Sequence, residues 1–186
     1  NNPSSPYAAL FVPPSPGGLP DPNPAPDGMA SAFRLRADEA VVFVGRTPPE
    51  VRYFGFTPYL TDRAEADGSR RMVAASLGET LNQLVLRTAG RGSVFGQQTA
   101  VIAAMTDGAR NAAANALVAA GVPLSAINTL VFDPSVVVPG PGANADTLSV
   151  LFRVALPKDP AALEAWLASP GARVYRMTPN APALGN

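Results

Sequence analysis

The chain contains no cysteine and no histidine. Disulfides, thiol catalysis and cysteine metal sites are therefore excluded. So are a Ser-His-Asp triad, a Cys-His pair, a histidine-ligated zinc or copper site and a histidine proton shuttle. Lys158 is the single lysine, so Schiff-base or Ser-Lys chemistry would have to use it. It stands in PKDP, just before a predicted helix, an exposed place ill suited to a depressed pKa. Charge is scarce as well. Charged residues make up 15% of the 186, well under the roughly 25% of an average domain, and the formal net charge is zero. No basic patch stands out, which argues against nucleic acid as a partner. A neutral surface of low charge favours self-association. No apolar run approaches the roughly 18 residues of a membrane span. The opening NNPSSPYAAL shows no initiator Met and no signal-peptide pattern, as expected of a processed chain or a fragment.

What is present is apolar and proline-rich. Hydrophobic residues make up 47%, enough for a core without staples, so a packed fold is expected. Residues 1–30 carry prolines throughout. Proline lacks a backbone donor and fixes φ, so an extended, polyproline-like arm is predicted. A plain linker is the alternative. The embedded YAALFV, with Tyr7, Leu10, Phe11 and Val12, predicts docking on the chain's own body or on a partner.

From residue 31 the pattern is β. AVVFVGR (40–46) is a β-branched run. VRYFGFTPYLTD (51–62) and RRMVAAS (70–76) flank Asp67-Gly68, a hairpin signal. Pro58 suggests that the first of these strands is an edge or bulges there. Ser76-Leu77-Gly78-Glu79 fits a capping box, and Leu77, Leu81, Leu84 and Val85 recur at helical spacing, predicting a helix that Gly90 stops. A short strand in LVLRT is the rival reading. Further on come a strand at 99–105, a helix capped by Thr106 or Asp107 and closed by Gly121, and a strand at 126–133. After a Pro/Gly-rich loop follow a strand at 147–156, a helix begun by Asp159-Pro160, and a strand at 172–178. The order β-α-β-β-α-β is that of a ferredoxin-like unit. The expected class is α+β: a Pro-rich arm (1–30) and one unit (31–186), comprising a β-rich half with one helix (31–97) and a ferredoxin-like half (98–186).

Four stretches invite a functional reading. In VRYFGFTPYLTD, alternation sends Phe54, Phe56 and Leu60 to one face and Tyr53, Gly55, Thr57 and Tyr59 to the other. Small residues between tyrosines make a shallow groove rimmed with hydroxyls, able to stack a sugar, an apolar ligand or a proline-rich segment. The ordinary alternative is that helices cover this face. Asp62, Glu65 and Asp67 invite a hard cation, but their spacing is not that of an EF-hand and Arg63, Arg70 and Arg71 stand beside them, which favours a self-paired turn. GRGSVFG (90–96) precedes a strand rather than a helix and lacks a P-loop lysine. MTDGARN (105–111) opens a helix and is an ordinary cap unless Arg110 assists an anion.

The leading expectation is a non-catalytic binding or assembly protein of the cell envelope or extracellular space, self-associating or within a larger complex, with no cofactor and no metal. Its ligand or partner surface is Tyr53, Gly55, Thr57, Tyr59 and Asp62. Its partner arm is Tyr7, Leu10, Phe11 and Val12. One alternative is a carboxylate- or tyrosine-based enzyme on a neutral or apolar substrate, with Asp62 as acid or base. The other is a carrier of a small molecule or cofactor on the sheet face of the second half.

Overall fold

In a computed structural model, described here for residues 6–180, the chain is α+β and rich in strand. A short β1 (Tyr7–Ala9) precedes β2 (Ala40–Arg46), β3 (Val51–Ala64), β4 (Arg70–Ser76), β5 (Leu81–Asn82) and β6 (Gln98–Ala104). Then follow α1 (Asp107–Ala119), β7 (Ile127–Val131), β8 (Thr147–Pro157), α2 (Pro160–Ala168) and β9 (Arg173–Met177). The strands form two sheets. The first runs β1-β8-β3-β4, with β5 also paired to β3. The second runs β7-β6-β2-β9. Pairing is antiparallel except between β6 and β7.

The core lies between the sheets, and period-2 alternation builds it. Val41 and Phe43 of β2, with Val101 and Ala103 of β6, meet Phe54, Phe56, Val150 and Phe152 of the first sheet. The intervening residues Ala40, Val42, Ala100 and Ile102 point the other way and bury under Ala109, Ala113 and Leu117 of α1. Both faces of β2 and β6 are thus covered, which explains why AVVFV and TAVIAA read as unbroken apolar runs. The alanines let α1 approach closely. Thr106 caps α1 by accepting from the Ala109 N–H, and Asp159 caps α2 through Ala161 and Ala162 N–H, as the sequence predicts. The β3–β4 hairpin also forms as predicted. Gly68 sits at φ +82° and donates to the Glu65 carbonyl.

Three expectations are corrected. The elements of 98–186 follow the predicted order, but they do not share one sheet: β8 crosses to the first sheet, and β2 stands between β6 and β9. The fourteen-residue β3 offers β8 a ladder from Val51↔Pro157 to Asp62↔Thr147, a longer partner than any strand of the second sheet. The helix after residue 76 does not form, nor does a strand in LVLRT. Ser76 ends β4 opposite Tyr59, Leu77 N–H donates to the Pro58 carbonyl at 2.9 Å, and Gly78 sits at φ +149°. Leu84 and Val85 are exposed, so their helical spacing marks no buried face. Finally, β3 is interior, flanked by β8 and by β4 and β5, and its bulge is at Thr61. Pro58 is tolerated because its missing N–H faces the interval between β4 and β5, where the ladder is already broken.

From residue 6 onward the predicted arm lies against the body; its residues 1–5 fall outside the described residues. β1 extends the first sheet along β8, Leu10 N–H donates to the Val150 carbonyl, and Val12 bridges to Ala30. A buried charge cluster fastens it further on. Arg176 of β9 donates to the Pro13 carbonyl at 2.7 Å and to Glu39 at 3.0 Å, and its other terminal nitrogen lies 3.6 Å from Asp21. Ser15 hydroxyl donates to Glu39 at 2.9 Å, and Arg34 N–H donates to Asp21 at 2.8 Å.

Candidate binding surface

The outer face of the first sheet is the side of β3 turned away from the core. Tyr53, Gly55, Thr57 and Tyr59 project there, opposite Ala155, Arg153, Leu151 and Ser149 of β8. The next strand brings Tyr7 level with Arg153. The Arg153 guanidinium lies over the Tyr7 ring, 4.9 Å from its centre, within cation–π range. Gly55 has no side chain, and the Thr80 methyl fills the space: a Cβ at position 55 would come within 2.6 Å of it. The Thr57 and Thr80 hydroxyls are hydrogen-bonded at 2.8 Å. Segment 76–80 therefore makes one wall of a groove of about 230 Å³, with Tyr7, Tyr53, Tyr59 and Arg153 around it. Its rings are half-buried or exposed, its rim is hydroxyl-bearing, and among the described residues its charge is the Arg153 guanidinium.

The helices lie elsewhere. α1 covers the second sheet, and Trp166 of α2 packs on Phe152, whose side chain faces the core. Of the four β3 residues expected at the surface, Tyr53, Thr57 and Tyr59 are brought together and Tyr7 joins them; Gly55 is instead buried beneath the Thr80 methyl. Asp62 does not join them. It lies beyond the bulge, where its carboxylate pairs with Arg70 and accepts from the Thr147 hydroxyl at 3.0 Å. Arg70 also donates to the Ala143 and Ala145 carbonyls, so this pair fastens the Pro/Gly-rich loop to the hairpin. Glu65 pairs with Arg71, and Asp67 accepts from Ser69, which holds the Asp67 carboxyl below the usual carboxylate range. The acidic tip is a self-paired turn. Arg110 is likewise taken up by Asp107. Among the described residues, no group of three or more Asp or Glu side chains is placed to hold a metal ion.

The four arm residues divide. Leu10 and Val12 are buried in the chain's own core, while Tyr7 and Phe11 are about half exposed. Phe11 borders a second concavity, an apolar cleft of about 300 Å³ between β1 and α2, floored by Phe43, Phe56 and Phe152 and closed by Trp166. Sequence reasoning missed this cleft because its walls come from both ends of the chain. It also missed Thr80 and Arg153 in the tyrosine groove. Their signal was available only through strand register. Both faces of the second sheet are packed over β2 and β6, but toward β9 the α1-side face opens: Tyr175 is exposed and borders, with Val44, Arg46 and Arg173, a concavity of about 360 Å³.

The buried cluster under the arm has an electrostatic cost. Burial pushes the Asp21 carboxyl up from its ordinary value, against the downward pull of the Arg34 N–H and of the Arg176 and Arg34 guanidiniums. One Asp21 oxygen, Arg34 Nε and one Arg176 nitrogen have no hydrogen-bond partner among the described residues. Also among the described residues, no helix is long and apolar enough to cross a membrane. No known protein family, curated protein or solved structure matches the chain.

Proposed function

We propose that the chain is a non-catalytic binding or assembly protein of the cell envelope or extracellular space, and that the tyrosine groove is its contact surface. One observation carries this reading. The groove is open, aromatic and hydroxyl-rich, and among the described residues its lining includes no carboxylate to act as acid or base. Tyrosine rings supply flat contact area at low entropic cost, and their hydroxyls give it direction. The ligand chemistry that fits is neutral and rich in acceptors: a sugar, or an extended proline-rich segment that stacks on rings. Arg153 adds a donor at one end.

Native mass spectrometry of the protein purified gently from its source tests this. Added mass from a ligand or partner is expected, and it should be lost in a Tyr53→Ala/Tyr59→Ala variant that keeps its strand signal by circular dichroism. A bare monomer that binds nothing overturns the reading. The apolar cleft favours a second reading, a carrier of a small apolar molecule. In that case the added mass persists in the tyrosine variant and disappears in Phe11→Asp.

A further inference from the structure

Arginines in this chain commonly face a carboxylate: Arg63 meets Asp146, Arg70 meets Asp62 and Arg176 meets Glu39. Arg46 and Arg173 meet none among the described residues, and the two lie together. Both stand on the α1-side face of the second sheet. Ala40, Val42 and Val44 alternate onto that face, and Arg46 continues the series. On β9, Met177 packs on the same side, so Tyr175 and Arg173 share it. The helix α1 buries the Ala40 and Val42 end, whereas toward Arg46 the strand becomes exposed.

Val44 lies opposite Arg173 in the β2–β9 ladder, so Arg46 is a diagonal neighbour of Arg173. Such neighbours are about 7–8 Å apart, within reach of long side chains. Both line the concavity of about 360 Å³, with Val44, Gln98 and Tyr175. Arg46 donates to the Gly96 carbonyl at 3.1 Å, which steadies its guanidinium and leaves further N–H groups to donate. The Arg173 side chain donates to no group among the described residues. Tyr175 is 44% exposed and stands two residues from Arg173 on the same face. Among the described residues, no carboxylate lines the concavity.

We infer that this concavity binds a phosphate monoester carried on a ring, with the phosphate between Arg46 and Arg173 and the ring against Tyr175. The site lies on the other sheet from the tyrosine groove and does not depend on that reading. Charge selects the anion. A phosphate monoester carries about −1.5 to −2 at pH 7, which matches two guanidiniums, whereas a carboxylate leaves one of them unmatched. Guanidinium forks bind phosphate oxygens through paired N–H groups. Like charges this close repel, and a dianion between them offsets the repulsion. Size selects a small ligand, since the volume falls in the range of about 300–1,000 Å³ typical of small-molecule sites. The Tyr175 ring and Val44 supply the flat apolar surface that the ring of the ligand needs.

Titration of the isotope-labelled full chain with phenyl phosphate, read by amide chemical shifts, tests it. Saturable shifts are expected at residues 44–46 and 173–175. Inorganic phosphate, which lacks the ring, and benzoate, which lacks the second charge, should each bind at least several-fold more weakly. Arg46→Gln and Arg173→Gln should each weaken phenyl phosphate by about tenfold or more, as loss of a charge-assisted hydrogen bond does. Arg52→Gln, at an exposed arginine of the other sheet, should leave it unchanged. Tyr175→Ala should erase the preference for phenyl phosphate over inorganic phosphate. Arg46 and Arg173 are exposed, so their variants should keep the wild-type urea midpoint; Arg173→Lys, which keeps the charge and loses the fork, is the substitute if they do not. No saturable shift at these residues overturns the inference, whatever the tyrosine groove binds. Equal binding of inorganic phosphate or of benzoate overturns the ligand class. An equal loss in Arg52→Gln shows attraction to the whole surface and overturns the site. A preference that persists in Tyr175→Ala overturns the role of that ring.

Discussion

Gly55 is the residue on which the groove depends. Its φ is unexceptional, and the constraint is space. A methyl at this position meets the Thr80 methyl at 2.6 Å and the Tyr53 hydroxyl at 3.0 Å. Gly55→Ala is expected to lose about 1–3 kcal/mol by overpacking, read as a lowered urea midpoint. Thr80→Ser removes the clashing methyl and keeps the hydroxyl that meets Thr57, so the double variant should regain much of the loss. Asp21 gives a prediction with a sign. Its folded pKa lies above the ordinary value, so between the two the native state holds more proton than the unfolded chain, and stability falls as pH rises through that window. The unfolding free energy of wild type minus that of Asp21→Asn should therefore decrease across it. A rising difference would show that the pairs to Arg176 and Arg34 outweigh burial. At this scale the sequence was informative where alternation alone decided position. Tyr53, Thr57 and Tyr59 fall on one face because a strand has period 2. It was silent on Thr80 and Arg176, whose partners lie far along the chain.

Among the elements, segment 77–87 is the least regular and the most instructive. Its capping-box pattern and leucine spacing predict a helix, yet the chain spends those residues on β3. Leu81 and Asn82 pair with Phe56 and Gly55. Gln83 continues the ladder with its side chain, accepting from Phe54 N–H at 3.2 Å and donating to the Arg52 carbonyl at 2.9 Å. A primary amide carries one acceptor and two donors, so it can imitate a peptide group. Gln83→Ala is expected to cost about 1–2 kcal/mol by leaving backbone groups of β3 unpaired, and to speed hydrogen exchange at the Phe54 amide. The helices with local stop and start signals were legible: Thr106 caps α1, and Asp159-Pro160 begins α2. Both signals act within one turn. The false helix had similar local signals, but Gly78 at positive φ and the unfilled backbone of β3 decided otherwise.

Across the whole molecule, the two halves of the sequence share both sheets. β2 sits between β6 and β9, and β3 lies along β8. Fragments 1–97 and 98–186 made separately are expected to lack stable structure by circular dichroism, and the intact chain should unfold in one cooperative transition. Leu10→Ala, in the arm, should cost about 2–5 kcal/mol, whereas Tyr7→Ala, at the exposed rim, should cost about 0.5–1 kcal/mol, the scale of its cation–π contact with Arg153. The α+β class was legible from periodicity. The assignment of strands to sheets was not, since element order sets no sheet membership and β8 joins whichever partner buries more of it.

The buried cluster that ties Arg176 to Glu39 and to Pro13 spans 137 and 163 residues. During synthesis, Pro13 and Glu39 are made 163 and 137 residues before the guanidinium that fastens them. Until β8 and β9 appear, the apolar strands β2 and β3 lack the neighbours that cover them. Contacts this distant make folding slow. The nascent chain is thus committed to an interval in which its most adhesive segments are uncovered, and the speed of translation from β3 to β9 sets how long that interval lasts.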